Sequence, residues 1–141
     1  MTGTADLIAL VSRISGARVL CVGDVMLDRF ISGEVERISP EAPVPVLRIS
    51  DEKAMLGGAG NVARNIVALG GQVTLAAVVG EDAAGQQIEA ELRGLGRATA
   101  RLVIDPSRPT AIKTRFLAGT QQMLRADAET SEPLDPDSGD T

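Results

Sequence analysis

Apolar and polar positions alternate along the chain in two periods. From Thr4 to Ser15 the apolar residues Leu7, Ile8, Leu10, Val11 and Ile14 recur at helical spacing, and Gly16 can close the helix. Arg18 to Gly23 is a continuous apolar run ending at glycine, the pattern of a buried strand in a parallel sheet. Phe30–Glu36 and Val44–Ile49 are shorter and more polar. Pro40, Pro43 and Pro45 between and within them exclude a helix and disfavour a central strand, so a two-stranded flap is expected there. A second helix is expected over about 58–69, with Val62, Ile66 and Leu69 on one stripe, stopped by Gly70-Gly71. Gln72–Val79 reads as a second buried strand. Asp82 can cap a helix running to about Gly94, with Ile88, Leu92 and Leu95 facing inward. Ala100–Ile104 is a third strand, and Thr110–Leu117 with Gln121–Ala126 form a hairpin across Ala118-Gly119-Thr120. This order is α/β, with a thin three-stranded sheet whose apolar edge is expected to be exposed.

Composition narrows the chemistry. The 141 residues contain no His, which excludes Ser-His-Asp catalysis and His-ligated zinc within the chain. Phe30 and Phe116 are its two aromatic residues, too few to stack single-stranded nucleic acid. Cys21 is alone in an apolar run and reads as a core residue. A single cysteine and no signal peptide fit a reducing cytoplasm. No apolar run reaches the roughly 18 residues that span a bilayer. The net charge of −5 comes from Glu129, Glu132, Asp135, Asp137 and Asp140, all beyond Ala128; the rest of the chain is neutral. Neither a nucleic-acid nor a membrane surface is indicated.

The chemistry concentrates at Gly57-Gly58-Ala59-Gly60-Asn61-Val62-Ala63. Glycines there allow close backbone approach and positive φ, and the helix start adds unpaired N–H donors. Gly58, Gly60 and Ala63 match the G-x-G-x-x-A fingerprint of dinucleotide sites, and Glu81-Asp82 lies near the next strand end. That fingerprint should follow its strand directly, whereas Ser50–Leu56 intervenes here. Over a longer window, Gly57-Gly58-x-x-Asn61-x-Ala63 is followed by Gly70 and then Gly80. This spacing resembles the first signature of the ribokinase-like (PfkB) sugar kinases. Val22-Gly23-Asp24-Val25-Met26-Leu27-Asp28 resembles that family's first strand, and Val79-Gly80-Glu81-Asp82-Ala83-Ala84-Gly85 its V-G-x-D-x-x-G turn. Residues 23–30, 37–46, 113–116 and 121–127 are similar to the family's D-glycero-β-D-manno-heptose-7-phosphate kinases, and the similarity runs over about residues 5–136.

The resemblance implies a ribokinase-like three-layer α/β sandwich with a β-lid, of which residues 1–130 would be the N-terminal, sugar-binding and lid half. Residues 131–141 would be an acidic, loop-like tail. It implies phosphorylation of heptose 7-phosphate at O1 with ATP and Mg2+, on the route to lipopolysaccharide. Asp28, Gly57, Gly58 and Asn61 would contact sugar; Arg37, Lys113, Arg115 and Arg125 would contact the sugar phosphate. The flap and hairpin would form a lid able to build a homodimer. Each residue also has a simpler reading: Asp28 as a turn residue, Asn61 as a helix N-cap, and the cations as a solvated, salt-bridged strand face. Asp24 suits a turn, and Asp82 a cap. The family's catalytic base lies in a G-A-G-D turn, and most of its ATP site is in the same half; no such turn occurs here, Gly94-Leu95-Gly96-Arg97 being the nearest approach. No catalytic or metal-binding residue is therefore assigned, and these 141 residues alone are expected not to catalyse transfer. Another phosphosugar or nucleoside kinase of this family, a non-catalytic sugar-binding module, and a dinucleotide enzyme remain as alternatives, in that order.

Overall fold

The computed structural model describes residues 3–134, so the acidic tail beyond Leu134 lies outside the described residues. The order is α1 (Thr4–Ile14), β1 (Arg18–Val22), β2 (Val25–Ile38), β3 (Pro45–Gly58), α2 (Ala59–Ala68), β4 (Gln72–Val79), α3 (Ala83–Gly94), β5 (Ala98–Ile104), β6 (Ile112–Ala118) and β7 (Gln121–Ala128). Two sheets share them. A three-stranded parallel sheet has the order β1-β4-β5, and a four-stranded sheet has the order β3-β2-β6-β7. In the second sheet β2 and β6 run parallel, flanked by antiparallel β3 and β7.

The core lies where the two sheets meet α2 and α3. Leu75 and Val79 from β4, Ile88 and Leu92 from α3, and Val25, Leu27 and Leu56 from β2 and β3 form one buried cluster. Strand β4 shows why: every second residue, from Val73 to Val79, faces inward. The expected cap of α3 is present, Asp82 accepting from the Gly85 N–H at 2.8 Å.

Four expectations are corrected. Strand β1 forms where the apolar run indicates, but it is a sheet edge rather than a buried strand: Leu20 and Val22 are 68% and 73% exposed. Cys21 is correspondingly half-buried rather than in the core. The polar segment 50–56 does not separate the flap from the glycine turn. It continues β3 without a break into Gly58, because its amides pair along β2 from Ser32–Asp51 to Leu27–Leu56. Both flap strands are therefore 14 residues long. A strand does precede the glycine turn, but it is antiparallel to its neighbour, outside the parallel sheet of a dinucleotide-binding βαβ unit. On α2 the buried residues are Gly60 and Ala63, while Val62 and Leu69 of the expected stripe are exposed. Glycine leads that face because Leu56 and Val25 press close: a Cβ on Gly60 would sit 3.0 Å from each.

Candidate functional site

Alternation along β2 separates two tasks. Leu27 points into the core, and its neighbour Asp28 points to the opposite face of the lid sheet. Pairing then fixes what surrounds Asp28. Met55 stands opposite on β3, Lys113 on β6, and Asp127 opposite Lys113 on β7. Two residues further along the same face come Phe30, Arg115 and Arg125. One face thus collects an acid, three cations and a second acid.

Asp28 is held from two sides. Its Oδ1 accepts from the Arg115 guanidinium at 2.5 Å, with both side chains about one-fifth exposed (24% and 19%). The guanidinium also lies over the Phe30 ring, 5.3 Å from its centroid. On the other side the carboxylate rests against Gly57, where a Cβ would fall 2.4 Å from Oδ2. Gly57 therefore makes room for Asp28 itself. Gly58 has a different reason: its φ is +55°, and a Cβ would meet the Asp24 carbonyl oxygen at 2.4 Å. That carbonyl accepts from the Ala59 N–H at 2.8 Å, so Asp24 holds the turn through its backbone.

Asn61 is not the helix N-cap. Gly58 occupies that position with no side-chain cap, which leaves Asn61 in the first turn of α2. It is exposed, and its Oδ1 accepts only a long 3.4 Å bond from Arg64. Its side-chain amide is accordingly only weakly engaged on the exposed first turn of α2.

The cations are arranged as ion pairs. Lys113 Nζ reaches Glu129 at 2.8 Å and Asp127 at 3.2 Å, and Arg125 Nε reaches Asp127 at 2.9 Å. The hydrogen bond to Glu129 raises the Lys113 pKa; partial burial opposes it, and Asp127 adds to it. Burial pushes the Asp127 carboxyl up, but the bonds from Arg125 and Lys113 outweigh it and leave the group below the usual carboxylate range. Arg37 is not brought to this group. It lies nine residues beyond Asp28 on β2, roughly 30 Å away at the rise of an extended strand, beside Arg48, Glu36 and Val46 around a surface hollow at the lid tip.

Sequence reasoning missed Phe30, Asp127 and Glu129. The alternation that placed Lys113 and Arg115 on one face also places Phe30 beside Asp28 and Asp127 beside Arg125, so the signal was present once the pairing was known. Glu129 lies beyond β7 and gave no such signal.

Among the described residues no three His, Cys, Asp or Glu side chains converge to hold a metal. The glycine turn itself faces the Asp28 carboxylate, which repels a polyphosphate. The arrangement suits a neutral polyol: a carboxyl group that accepts, an amide that donates and accepts, and neighbouring cations for a separate anionic group.

An α/β body carrying a second, antiparallel-flanked sheet is a sugar-kinase-type fold, and the chain belongs to the pfkB family of carbohydrate kinases, which it matches over residues 17–138. It is 58% identical over 136 residues to the bifunctional protein HldE of Rhodospirillum rubrum, covering 96% of this chain and 27% of that protein. Among solved structures it resembles a carbohydrate kinase from Agrobacterium tumefaciens, at 25% identity and a TM-score of 0.65, over 79% of this chain and 35% of that one. It also shares its fold with a fructokinase from Xylella fastidiosa solved with bound ATP, at 21% identity and a TM-score of 0.55, over 79% of this chain and 32% of that one. The chain thus spans about a quarter of the HldE protein and a third of each kinase. No helix among the described residues is long and apolar enough to cross a membrane.

Proposed function

We propose that residues 1–130 are the sugar-binding and lid part of an ATP-dependent kinase that phosphorylates D-glycero-β-D-manno-heptose 7-phosphate at O1. The observation that carries this reading is the placement of Asp28 between Gly57 and Arg115, on the lid face that also presents Lys113 and Arg125. The motif similarity to heptose-7-phosphate kinases and the identity to HldE support the particular sugar.

In this reading Asp28 accepts hydrogen bonds from sugar hydroxyls and Asn61 completes the contact from α2. Lys113, Arg115 and Arg125 shift part of their pairing from Asp127, Glu129 and Asp28 to the 7-phosphate. Arg37 is too distant on its own lid to join them. The lid excludes water around the acceptor hydroxyl, which limits hydrolysis of the phosphoryl donor. ATP supplies the phosphoryl group in the intact enzyme. The other face of the lid carries half-buried Ile31 and Phe116 beside exposed Leu124, and supports pairing of two lids in a homodimer.

Calorimetry on the purified chain tests the reading. Heptose 7-phosphate should bind, fructose 6-phosphate and ribose should bind more weakly, and Asp28→Asn should abolish the difference. Equal binding of all three sugars, or none in the wild type, removes the heptose assignment. The same chain, lacking the G-A-G-D base, should transfer no phosphate from ATP; turnover near that of an intact relative would refute the division of roles.

A further inference from the structure

The turn Val79-Gly80-Glu81-Asp82-Ala83-Ala84-Gly85 lies outside the sugar contacts, yet its three characteristic positions converge on one residue, Thr110. The Thr110 hydroxyl accepts from the Gly80 N–H at 2.8 Å. The Thr110 N–H donates to Asp82 Oδ2, also at 2.8 Å. Asp82 Oδ1 meanwhile caps α3 through Gly85. The glycines are small because this loop presses on them: a Cβ on Gly80 would lie 2.4 Å from the Arg108 carbonyl oxygen, and one on Gly85 3.1 Å from the Thr110 hydroxyl. Thr110 is buried at 2% exposure, one of two buried polar residues described, and its hydroxyl and N–H are both engaged. Two residues later β6 begins; it carries Arg115 onto Asp28 and sets Lys113 opposite Asp28 in register. Across the same loop, Asp105 accepts from the Ser107 hydroxyl and N–H and pairs with Arg108, whose guanidinium donates to the carbonyls of Glu132 and Pro133 after β7.

We propose that Asp82 and Thr110 are positioning residues: the G-x-D-x-x-G turn is a socket that seats Thr110 and thereby sets where strand β6 brings its cations against Asp28. Asp82 divides its two oxygens between tasks, one capping α3 and one fixing the root of the lid. Socket and lid are thus joined by hydrogen bonds of defined direction, which apolar packing does not provide. The inference deepens the sugar-phosphate reading and rests on it for its consequence in binding, whereas the socket itself stands on geometry alone.

Asn is as good an N-cap as Asp. Asp82→Asn therefore keeps the bond to Gly85 and turns an NH2 toward the Thr110 N–H. Hydrogen exchange on the ligand-free chain should then show the amides of residues 112–128 exchanging at least about 10-fold faster, with those of 83–94 unchanged. Thr110→Val should do the same and Thr110→Ser should restore wild-type exchange; this pair reads the socket even if Asp82→Asn fails to fold. Affinity for heptose 7-phosphate should fall by about 10-fold in the first two variants and recover in the third. Loosening of α3 with an unchanged lid would reduce Asp82 to a helix cap and overturn the proposal, as would equal behaviour of Thr110→Val and Thr110→Ser. If the lid responds as expected while the wild type binds no sugar phosphate, the socket stands and the sugar reading falls.

Discussion

Replacing Gly57 with Ala is the sharpest probe of the site, because the added methyl has one place to go. It would stand 2.4 Å from Asp28 Oδ2 and 2.8 Å from Met26 Cγ. An ordinary carbon–oxygen contact needs roughly 1 Å more, so the carboxylate must swing away. That swing strains its bond to Arg115, a pair whose side chains are 24% and 19% exposed. Overpacking of this kind costs about 1–3 kcal/mol. The Ala returns about 0.4–1 kcal/mol by restricting the unfolded chain. Steric cost wins, and a net loss of about 1–2 kcal/mol is expected. Gly94→Ala is the matched control: nothing lies within 4 Å of its Cβ, and its φ is not positive. The same substitution there should stabilise by about 0.4–1 kcal/mol. Urea titration followed by circular dichroism measures both, and calorimetry should show Gly57→Ala weakening sugar phosphate by about 10-fold or more as the charged hydrogen bonds of Asp28 are lost. A Gly57→Ala protein as stable as wild type, with sugar affinity intact, would show that Asp28 does not rest where the site requires it.

Leu27 has no exposed surface and joins the lid to the body; Leu27→Ala should cost about 2–5 kcal/mol in urea titration, and a loss under 1 kcal/mol would place the joint elsewhere. Burial pushes the Asp82 carboxyl up, but bonds from Gly85, Thr110 and Ala84 outweigh it and leave its pKa below the ordinary 3.8. Because the folded value is the lower one, this stabilisation is complete above about pH 4 and is lost as pH falls through the folded value. The urea midpoint should drop below pH 4, and less steeply in Asp82→Asn; identical slopes would remove Asp82 from the effect. Arg115→Gln takes the partner from a mostly buried carboxylate, and should destabilise more than Arg48→Gln, whose pairs with Glu34 and Glu36 are about two-thirds exposed. Equal midpoints for the two variants would contradict that ranking.

Strand β4 and helix α3 were legible because each obeys a local rule: alternation in one, and a capping Asp with inward Ile88 and Leu92 in the other. The hairpin of β6 and β7 was legible from its turn, where Gly119 adopts a φ of +58°. The exposure of β1 was not, since an apolar run reads alike at an edge and at a centre; its position depends on which strand pairs with β4. The length of β3 was hidden for a related reason. Ser50-Asp51-Glu52-Lys53 has the composition of a loop, and only pairing with β2 makes it a strand. Spacing singled out the glycines and Asp28, but it did not show that Gly57 and Asp28 touch. Nothing local announces that Gly57 is small for the sake of a side chain 29 positions earlier. Arg37 is the opposite case, a cation grouped with others by type that a long strand carries away from them within the chain.

Leu27 and Asp28 are adjacent on one strand and face opposite ways, and this couples fidelity of folding to fidelity of recognition. A slip of one position between β2 and its partners would turn the carboxylate into the apolar cluster around Leu75 and Ile88 and the leucine out toward solvent. A buried, unpaired charge is among the most costly defects a core can contain. A misregistered molecule would thus be unstable as well as unable to present Asp28 on the lid face. The oily side of the strand acts as a proofreader for the polar side, checking the alignment of a site it never touches.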